Sequence, residues 1–205
     1  MSEPETSLDF LNKQDGGPWP AQGEWTYDDY RRLPDDGRRY EVIRGVLHVT
    51  STPRLLHQYV GSELLWIFQA FVRKRRLGQV LSGPLELRLA GGVATPIQPD
   101  VLFIHRGKAP DWTRQSLTVV PDLVAEIVSP GSGRFDRIVK LSAYQEAGVL
   151  EYWLIDLKAR TIVVYVLNDE GHYTEWSRAG FEETVSSCIL TRLRVKVSEL
   201  FPPEE

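Results

Sequence analysis

The stretch Pro121–Asp156, PDLVAEIVSPGSGRFDRIVKLSAYQEAGVLEYWLID, contains two apolar segments separated by a glycine-containing loop and a helical pattern. The first segment, Leu123–Val128, is aliphatic at every position except Glu126, which is typical of a strand buried on both faces. A buried carboxylate is costly unless it is protonated, paired with a base or bound to a metal. The sequence therefore predicts a specific partner for Glu126 inside the fold.

Outward from this stretch, the chain alternates predicted strands and helices. A helix is expected over about Asp136–Ala147, with Gly148 as its C-terminal cap. Apolar residues recur every three or four positions over 54–76 and predict a longer helix there. Together with the strands, this predicts a mixed α/β sheet flanked by helices. The predicted strands are Arg39–Ile43 and Val46–Thr50, paired as a hairpin, then 79–81, 85–89, 100–104, Leu123–Val128, Glu151–Asp156 and 161–167.

Length and composition describe a globular protein of one domain. The chain has 205 residues, of which 42% are hydrophobic and 25% charged. We expect a disordered leader over residues 1–24 and a single domain over 25–205. No apolar run approaches the length of a membrane span, and the acidic start MSEPETS differs from a signal peptide. These features predict a cytoplasmic protein without a membrane partner.

The charge distribution limits the ways in which the protein meets nucleic acid. A formal net charge of −4 argues against a general positive field, although it allows local contact with phosphates. Basic residues do cluster: Arg73–Arg76 end the long predicted helix, and a second set brackets a turn, namely Arg31, Arg32, Arg38 and Arg39. For the first cluster, favourable interaction with the helix C-terminus is the simpler interpretation, and contact with DNA is the alternative.

Two further residues suggest a site around Glu126. Asp100 lies where IQPD meets the apolar run 101–104, and Lys140 follows Glu126 on the next predicted helix. Two acids and a lysine on adjoining core elements suggest metal-assisted chemistry. Simpler explanations stay open, because Asp100 can start a strand and Asp136 can form a helix ion pair with Lys140 four residues later.

Several segments in a fixed order resemble a known family. They are YEVIRGVLHVTSTPRLLH at 40–57, IQPD at 97–100, DLVAEIVSP at 122–130 and, after a D-x-x-x-K-x-x-x-Y spacing, AGVLEYWLID at 147–156. This order resembles the Uma-type putative restriction endonucleases, which belong to the PD-(D/E)XK nuclease superfamily. The resemblance implies a restriction-endonuclease-like core, α/β (α+β) in class, with a central mixed β-sheet flanked by helices and a carboxylate-lined metal site.

The resemblance also implies roles for individual residues. Asp100 matches the PD aspartate and Glu126 the acidic residue of the (D/E)XK motif. Val128 stands where the superfamily has its lysine, and the Uma-type lysine on the following helix is Lys140. The implied cofactor is Mg²⁺, with Mn²⁺ as a substitute, held by Asp100, Glu126 and the Ile127 carbonyl, while Lys140 supports the attacking water.

Three more residues match the family pattern, and each has a second interpretation. Glu41 is a further acid that could orient Lys140 or hold a second metal, or it is a solvent-facing strand residue. His57 is a site residue or an ordinary hydrogen-bonded histidine. Tyr144 lies one turn beyond Lys140 and is either a hydrogen-bond donor to the site or a packed aromatic.

The function implied by the resemblance is Mg²⁺-dependent hydrolysis of phosphodiester bonds in DNA. RNA would use the same site, and the sequence does not separate the two substrates. The alternative is a binding or regulatory module that keeps a nuclease fold without cleaving, since fold does not fix function. We expect a homodimer, because cutting two strands requires two sites.

Overall fold

The computed structural model of the protein describes residues 18–50, 54–108, 110–128 and 135–203. Within these ranges the chain forms two larger sheets, a strand pair and a small number of helices. The helices are α1 (Tyr27–Tyr30), α2 (Leu55–Arg75) and α3 (Leu141–Glu146). The strands are β1 (Arg39–Ile43), β2 (Val46–Thr50), β3 (Gly78–Ser82), β4 (Glu86–Leu89), β5 (Ala94–Ile97), β6 (Val101–His105), β7 (Ser116–Leu117), β8 (Leu123–Val128), β9 (Glu151–Asp156), β10 (Thr161–Leu167), β11 (Tyr173–Ala179), β12 (Thr184–Ser186) and β13 (Arg194–Lys196).

The largest sheet has six strands in the order β11-β10-β9-β8-β6-β3. Only β8 and β9 run parallel, and the other neighbours are antiparallel, so the sheet is mixed. α2 packs on one face, and α3 lies on the other. This arrangement confirms the expected fold class, a mixed sheet with helices on both sides.

β8 is buried along its whole length, as its aliphatic sequence predicts. Ile127 packs on the α2 side of the sheet, in the same cluster as Leu64 and Phe68. Val124 and Val128 pack on the α3 side with Tyr144. Because successive strand residues point to opposite faces, the Glu126 side chain is on the α3 side.

A second sheet, with strand order β2-β1-β5-β4-β7, covers the α3 side. β5 was not expected from the sequence, since Pro96 within ATPI cannot donate to a strand ladder. Its pairing with β4 and β1 overrides that local signal. The chain leaves β5 at Ile97 and enters β6 at Val101, so the segment QPD crosses from the second sheet to the first.

The helical segment after β8 differs from the predicted single helix over Asp136–Ala147. Residues 135–140 form a π-helical segment, and α3 continues from Leu141. A wider turn leaves the apolar spacing of so short a segment almost unchanged, so the sequence did not reveal it. Gly148 has a φ of 79°, and its amide donates to the Gln145 carbonyl, as expected of the C-terminal cap.

Part of the expected leader is folded. Residues 1–17 lie outside the described ranges, but the Gln22 amide group exchanges two hydrogen bonds with the backbone of Leu47 on β2, at 3.2 and 2.7 Å. Trp19 stacks on the buried Trp25, with 5.6 Å between ring centroids. Residues 18–24 therefore pack on the hairpin, which the polar composition did not suggest.

Among the described residues, no helix is both long enough and apolar enough to cross a membrane.

Candidate active site

Lys140 joins two of the expected acids in the space between the sheets. Its Nζ lies 3.0 Å from an oxygen of Glu126 on β8 and 3.0 Å from an oxygen of Glu41 on β1. All three side chains are buried. A lysine that follows β8 by more than ten residues thus returns to the strand that precedes it, as the family pattern implies. The Asp136 side chain lies outside the described residues, so its pairing with Lys140 stays a prediction.

Glu41 is not the solvent-facing strand residue that simple alternation allowed, since only 1% of its surface is exposed. Every residue of β1 from Tyr40 onward is buried, so the strand has no solvent-facing side on which alternate residues would be exposed. The other interpretation, an acid that contacts Lys140, agrees with the 3.0 Å distance.

Asp100 forms a second group of contacts beside the first. Its Oδ1 accepts from the Arg39 guanidinium at 3.2 Å. Its Oδ2 accepts from the backbone amide of Ile127 at 2.9 Å and lies 3.1 Å from Nε2 of His57. Burial by itself raises the pKa of this carboxyl, but the hydrogen bond to His57 and the charge of Arg39 hold the pKa well below its ordinary value. Asp100 is therefore ionised at neutral pH.

The backbone of Gln98 connects the two groups. Its amide donates to Glu41 at 2.6 Å, and its carbonyl accepts from Arg39 at 2.6 Å and from Lys140 at 3.3 Å. The Gln98 side chain donates to the Tyr40 carbonyl at 3.2 Å, which holds the backbone of Gln98 against β1. Through the backbone amide and carbonyl of this one residue, the Asp100 group and the Lys140 group form one network.

Sequence reasoning missed Arg39 and Gln98 as members of this site. A signal existed for each residue: Arg39 precedes Glu41 by two positions and so shares its strand face, and Gln98 lies in the IQPD motif itself. The charges of Asp100, Glu41 and Glu126 raise the pKa of Arg39 even though burial opposes it. Arg39 is therefore a permanent cation among these three acids.

Tyr144 is both a packed aromatic residue and a hydrogen-bond donor to the site, the two interpretations that the sequence allowed. It is fully buried in the core, and its hydroxyl donates to the Glu126 oxygen that contacts Lys140, at 2.7 Å. Burial and the nearby charge of Glu126 raise the pKa of Tyr144 well above its ordinary value, so it remains a neutral donor. Lys140 and Tyr144 thus fix the same carboxylate oxygen from one face of the helical segment.

A cavity of about 310 Å³ opens onto the Asp100 group. Arg39, His57, Asp100 and Ile127 contribute to its wall, together with small residues such as Gly61. A Cβ atom at Gly61 would approach the Ile127 side chain to 3.3 Å, so the glycine keeps this wall open. Glu126 and Lys140 are not among the lining residues, so a solute entering the cavity meets Asp100 first.

The donor chemistry of the site fits a hard divalent cation. Three carboxylates outnumber the two basic side chains Arg39 and Lys140, and carboxylate oxygens are the ligands that Mg²⁺ prefers. The amide and carbonyl of one strand residue face the same neighbouring strand, so the Ile127 carbonyl is on the Asp100 side of β8. As the side chains stand, no three potential ligands of the His, Cys, Asp or Glu type converge on one point within the described residues.

The mixed sheet and its buried carboxylate–lysine network define a protein of the nuclease fold class. The family model described as Uma2, putative restriction endonuclease, matches residues 27–198. The chain therefore belongs to the Uma2 family, and the resemblance predicted from its motifs is confirmed.

A solved structure gives independent support for the fold. The crystal structure of a putative nuclease belonging to DUF820, from Anabaena variabilis, superposes on this chain with a TM-score of 0.70 at 20% identity. The match covers 86% of this chain and 97% of that chain. No curated protein sequence matches. Family and fold together support a nuclease.

Proposed function

We propose that the protein is a metal-dependent endonuclease that hydrolyses phosphodiester bonds in DNA. The observation that carries the proposal is the return of Lys140 to the acids, at 3.0 Å from both Glu126 and Glu41. Without it, Val128 in the usual lysine position would leave the site without the lysine that assists the attacking water. The membership of the family supports a nuclease in general, and the metal and the substrate are the proposed refinements.

Asp100 and Glu126, with the Ile127 carbonyl, would hold Mg²⁺, and Mn²⁺ is expected to substitute for it. When bound, such an ion lowers the pKa of a water molecule and stabilises negative charge on the phosphoryl oxygens. The low pKa of Asp100 keeps this carboxylate ionised, and the Ile127 amide and His57 fix its orientation.

The basic side chains have separate tasks. The Lys140 ammonium orients the attacking water or neutralises the charge that develops on the phosphate. Glu41 fixes the position of Lys140 by an ion pair at 3.0 Å, and Tyr144 fixes that of Glu126 by a hydrogen bond at 2.7 Å. Arg39 lines the cavity, where its planar guanidinium suits a phosphate oxygen better than a flexible ammonium does.

A second candidate function, a non-cleaving binding or regulatory module, has its own observation. Each of the three acids already contacts a basic side chain, as in an ion-pair network whose role is structural. Metal binding separates the two candidates. Calorimetric titration of Mn²⁺ into the wild type should give binding that Glu126→Gln abolishes or greatly weakens. Wild type that binds no Mn²⁺, or a variant that binds as well as wild type, refutes the nuclease proposal.

Cleavage is tested on supercoiled plasmid, single-stranded DNA and RNA, with Mg²⁺ or Mn²⁺. Asp100→Asn and Lys140→Ala should each abolish product, while Glu175→Gln, which alters an exposed acid on β11, should cleave as wild type does. Exclusive cleavage of RNA would contradict the proposed substrate. A homodimer is part of the proposal, and sedimentation equilibrium measures the oligomeric state directly.

A further inference from the structure

One face of α2 runs from the cavity beside Asp100 to the basic end of the helix. Ser62 lines the cavity, and Trp66, Gln69 and Arg73 follow it at intervals of three or four residues. Residues at this spacing lie along the same side of a helix. The rise of about 1.5 Å per residue makes the path from Ser62 to Arg73 about 16 Å long. We call the four residues Ser62, Trp66, Gln69 and Arg73 the α2 track.

Trp66 is the most conspicuous residue of the α2 track. Its side chain is 68% exposed, although α2 buries Leu64 and Phe68 on either side of it in the sequence. An exposed indole one turn along the helix from the cavity residue Ser62 presents a flat aromatic face to solvent beside the opening. Aromatic faces bind unpaired nucleic-acid bases by stacking, whatever their sequence.

The charge of α2 is opposite to that of the rest of the molecule. Residues 54–76 contain five Arg and Lys residues and one acid, a net of +4, while the whole chain has 24 basic and 28 acidic residues. The remainder of the chain is therefore at −8. No ion pair within the described ranges involves Arg73, Lys74 or Arg76. Their positive charge is available to a polyanion, and the acid Glu63 lies ten residues, or about 15 Å along the helix, from Arg73.

We propose that the α2 track binds single-stranded DNA and leads it into the cavity beside Asp100. A cavity of about 310 Å³ is at the small end of ligand sites, which measure about 300–1,000 Å³, so it suits one nucleotide rather than a duplex. At the roughly 3.4 Å spacing of stacked nucleotides, the track spans at most about five nucleotides. The inference rests on the proposed function, because the strand it delivers is the substrate of that site.

Binding is measured by fluorescence anisotropy with a labelled 12-nucleotide DNA in the presence of EDTA, so that no cleavage occurs. Trp66→Ala should weaken binding at least about fivefold, since stacking on one aromatic side chain contributes that much. Trp176→Ala is the matched control, because Trp176 is also exposed, at 55%, but lies on the edge strand β11. It should leave the affinity unchanged.

The charge contribution is tested with two neighbouring residues of the last turn of α2. Arg73→Gln should reduce the dependence of log K on log[salt] by about 0.7, the value for one contact to a single strand. Lys74→Gln removes the same charge one residue further along the helix, about 100° around it from Arg73 and so away from the α2 track. It should change the salt dependence much less.

Equal effects of each variant and its control overturn the inference, and so does tighter binding of duplex DNA or of an RNA strand of the same sequence. Thermal melting of all four variants verifies that they fold. The outcomes also separate this inference from the proposed function. If Trp66 and Arg73 contribute to DNA binding but no DNA is cleaved, the binding surface is supported and the nuclease proposal is refuted. If DNA is cleaved but the Trp66 and Arg73 variants bind it as wild type does, the nuclease proposal is supported and the binding surface is refuted.

Discussion

Glu151 provides the sharpest test of how this fold is held together. Its carboxylate is fully buried at the start of β9 and accepts four hydrogen bonds. Oε1 accepts from the Trp153 indole at 2.6 Å and the Ser187 hydroxyl at 2.7 Å. Oε2 accepts from the backbone amides of Cys188 and Ile189 at 2.6 and 2.9 Å. One carboxylate thus anchors the segment after β12 to the central sheet.

Glu151→Gln keeps the shape of the side chain but replaces one acceptor oxygen with a donor amide. At the Oε2 position that amide would face two backbone amides, so the better orientation places it at Oε1, where the Ser187 hydroxyl can turn to accept. The Trp153 bond is still lost, at about 1.5–3 kcal/mol for a hydrogen bond to a charged group, and the two backbone bonds weaken as they lose the charge. We expect the free energy of unfolding to fall by about 2–4 kcal/mol.

Thermal unfolding followed by circular dichroism measures this loss. For a domain of this size, about 1 kcal/mol corresponds to about 2–4 °C, so the Tm should fall by about 5–15 °C. Glu175→Gln is the control, because Glu175 forms an exposed ion pair with Arg178 and should change stability by less than about 1 kcal/mol. A Tm of Glu151→Gln within about 1 °C of wild type would refute the assignment of Glu151 as an anchor.

Three further predictions concern the site and the lone cysteine. Lys140→Met leaves two buried carboxylates without their shared cation, so urea unfolding should show a loss of about 3–5 kcal/mol; a loss under about 1 kcal/mol would contradict the network. Gln98→Ala frees the linking peptide from the Tyr40 carbonyl, so cleavage kinetics should show a lower kcat at nearly constant KM, and the opposite split would argue for substrate contact. Burial and the charge of Glu151 raise the pKa of the Cys188 thiol, so a smaller fraction of it is thiolate at pH 8. Iodoacetamide should therefore modify Cys188 more slowly than free cysteine, and equal rates would contradict the raised pKa.

The sequence predicted the acids of the site better than their surroundings. Glu126 was recognisable because a single charge in an aliphatic strand has few explanations, and its burial is confirmed at 1% exposure. The position of Lys140 followed from the family pattern, since helix spacing alone also allows a pair with Asp136. The sheet was predictable as a mixed one because its strands have strong apolar patterns, whereas β5 was hidden by its proline.

Arg39 and Gln98 show why the sequence signals did not identify the contacts of the site. Arg39 reaches Asp100 across 61 positions of the chain, and Gln98 contributes chiefly its backbone amide and carbonyl. Backbone groups are identical in every residue apart from proline, so the IQPD motif indicates the segment but not which backbone groups link the two parts of the site. Such a link becomes visible only when β1, from the second sheet, is placed against the segment that enters β6.

The displaced lysine also gives Glu41 a physical reason to be buried. A lysine on the strand beside its acid could reach solvent when that acid binds another cation, but Lys140 is 3% exposed between two sheets. Burying an ammonium without a counter-ion costs several kcal/mol. If Glu126 turned to a metal, Glu41 would still neutralise Lys140 at 3.0 Å, and the Gln98 carbonyl would still accept from it at 3.3 Å. Moving the lysine from strand to helix therefore requires a second acid, and β1 of the second sheet supplies it.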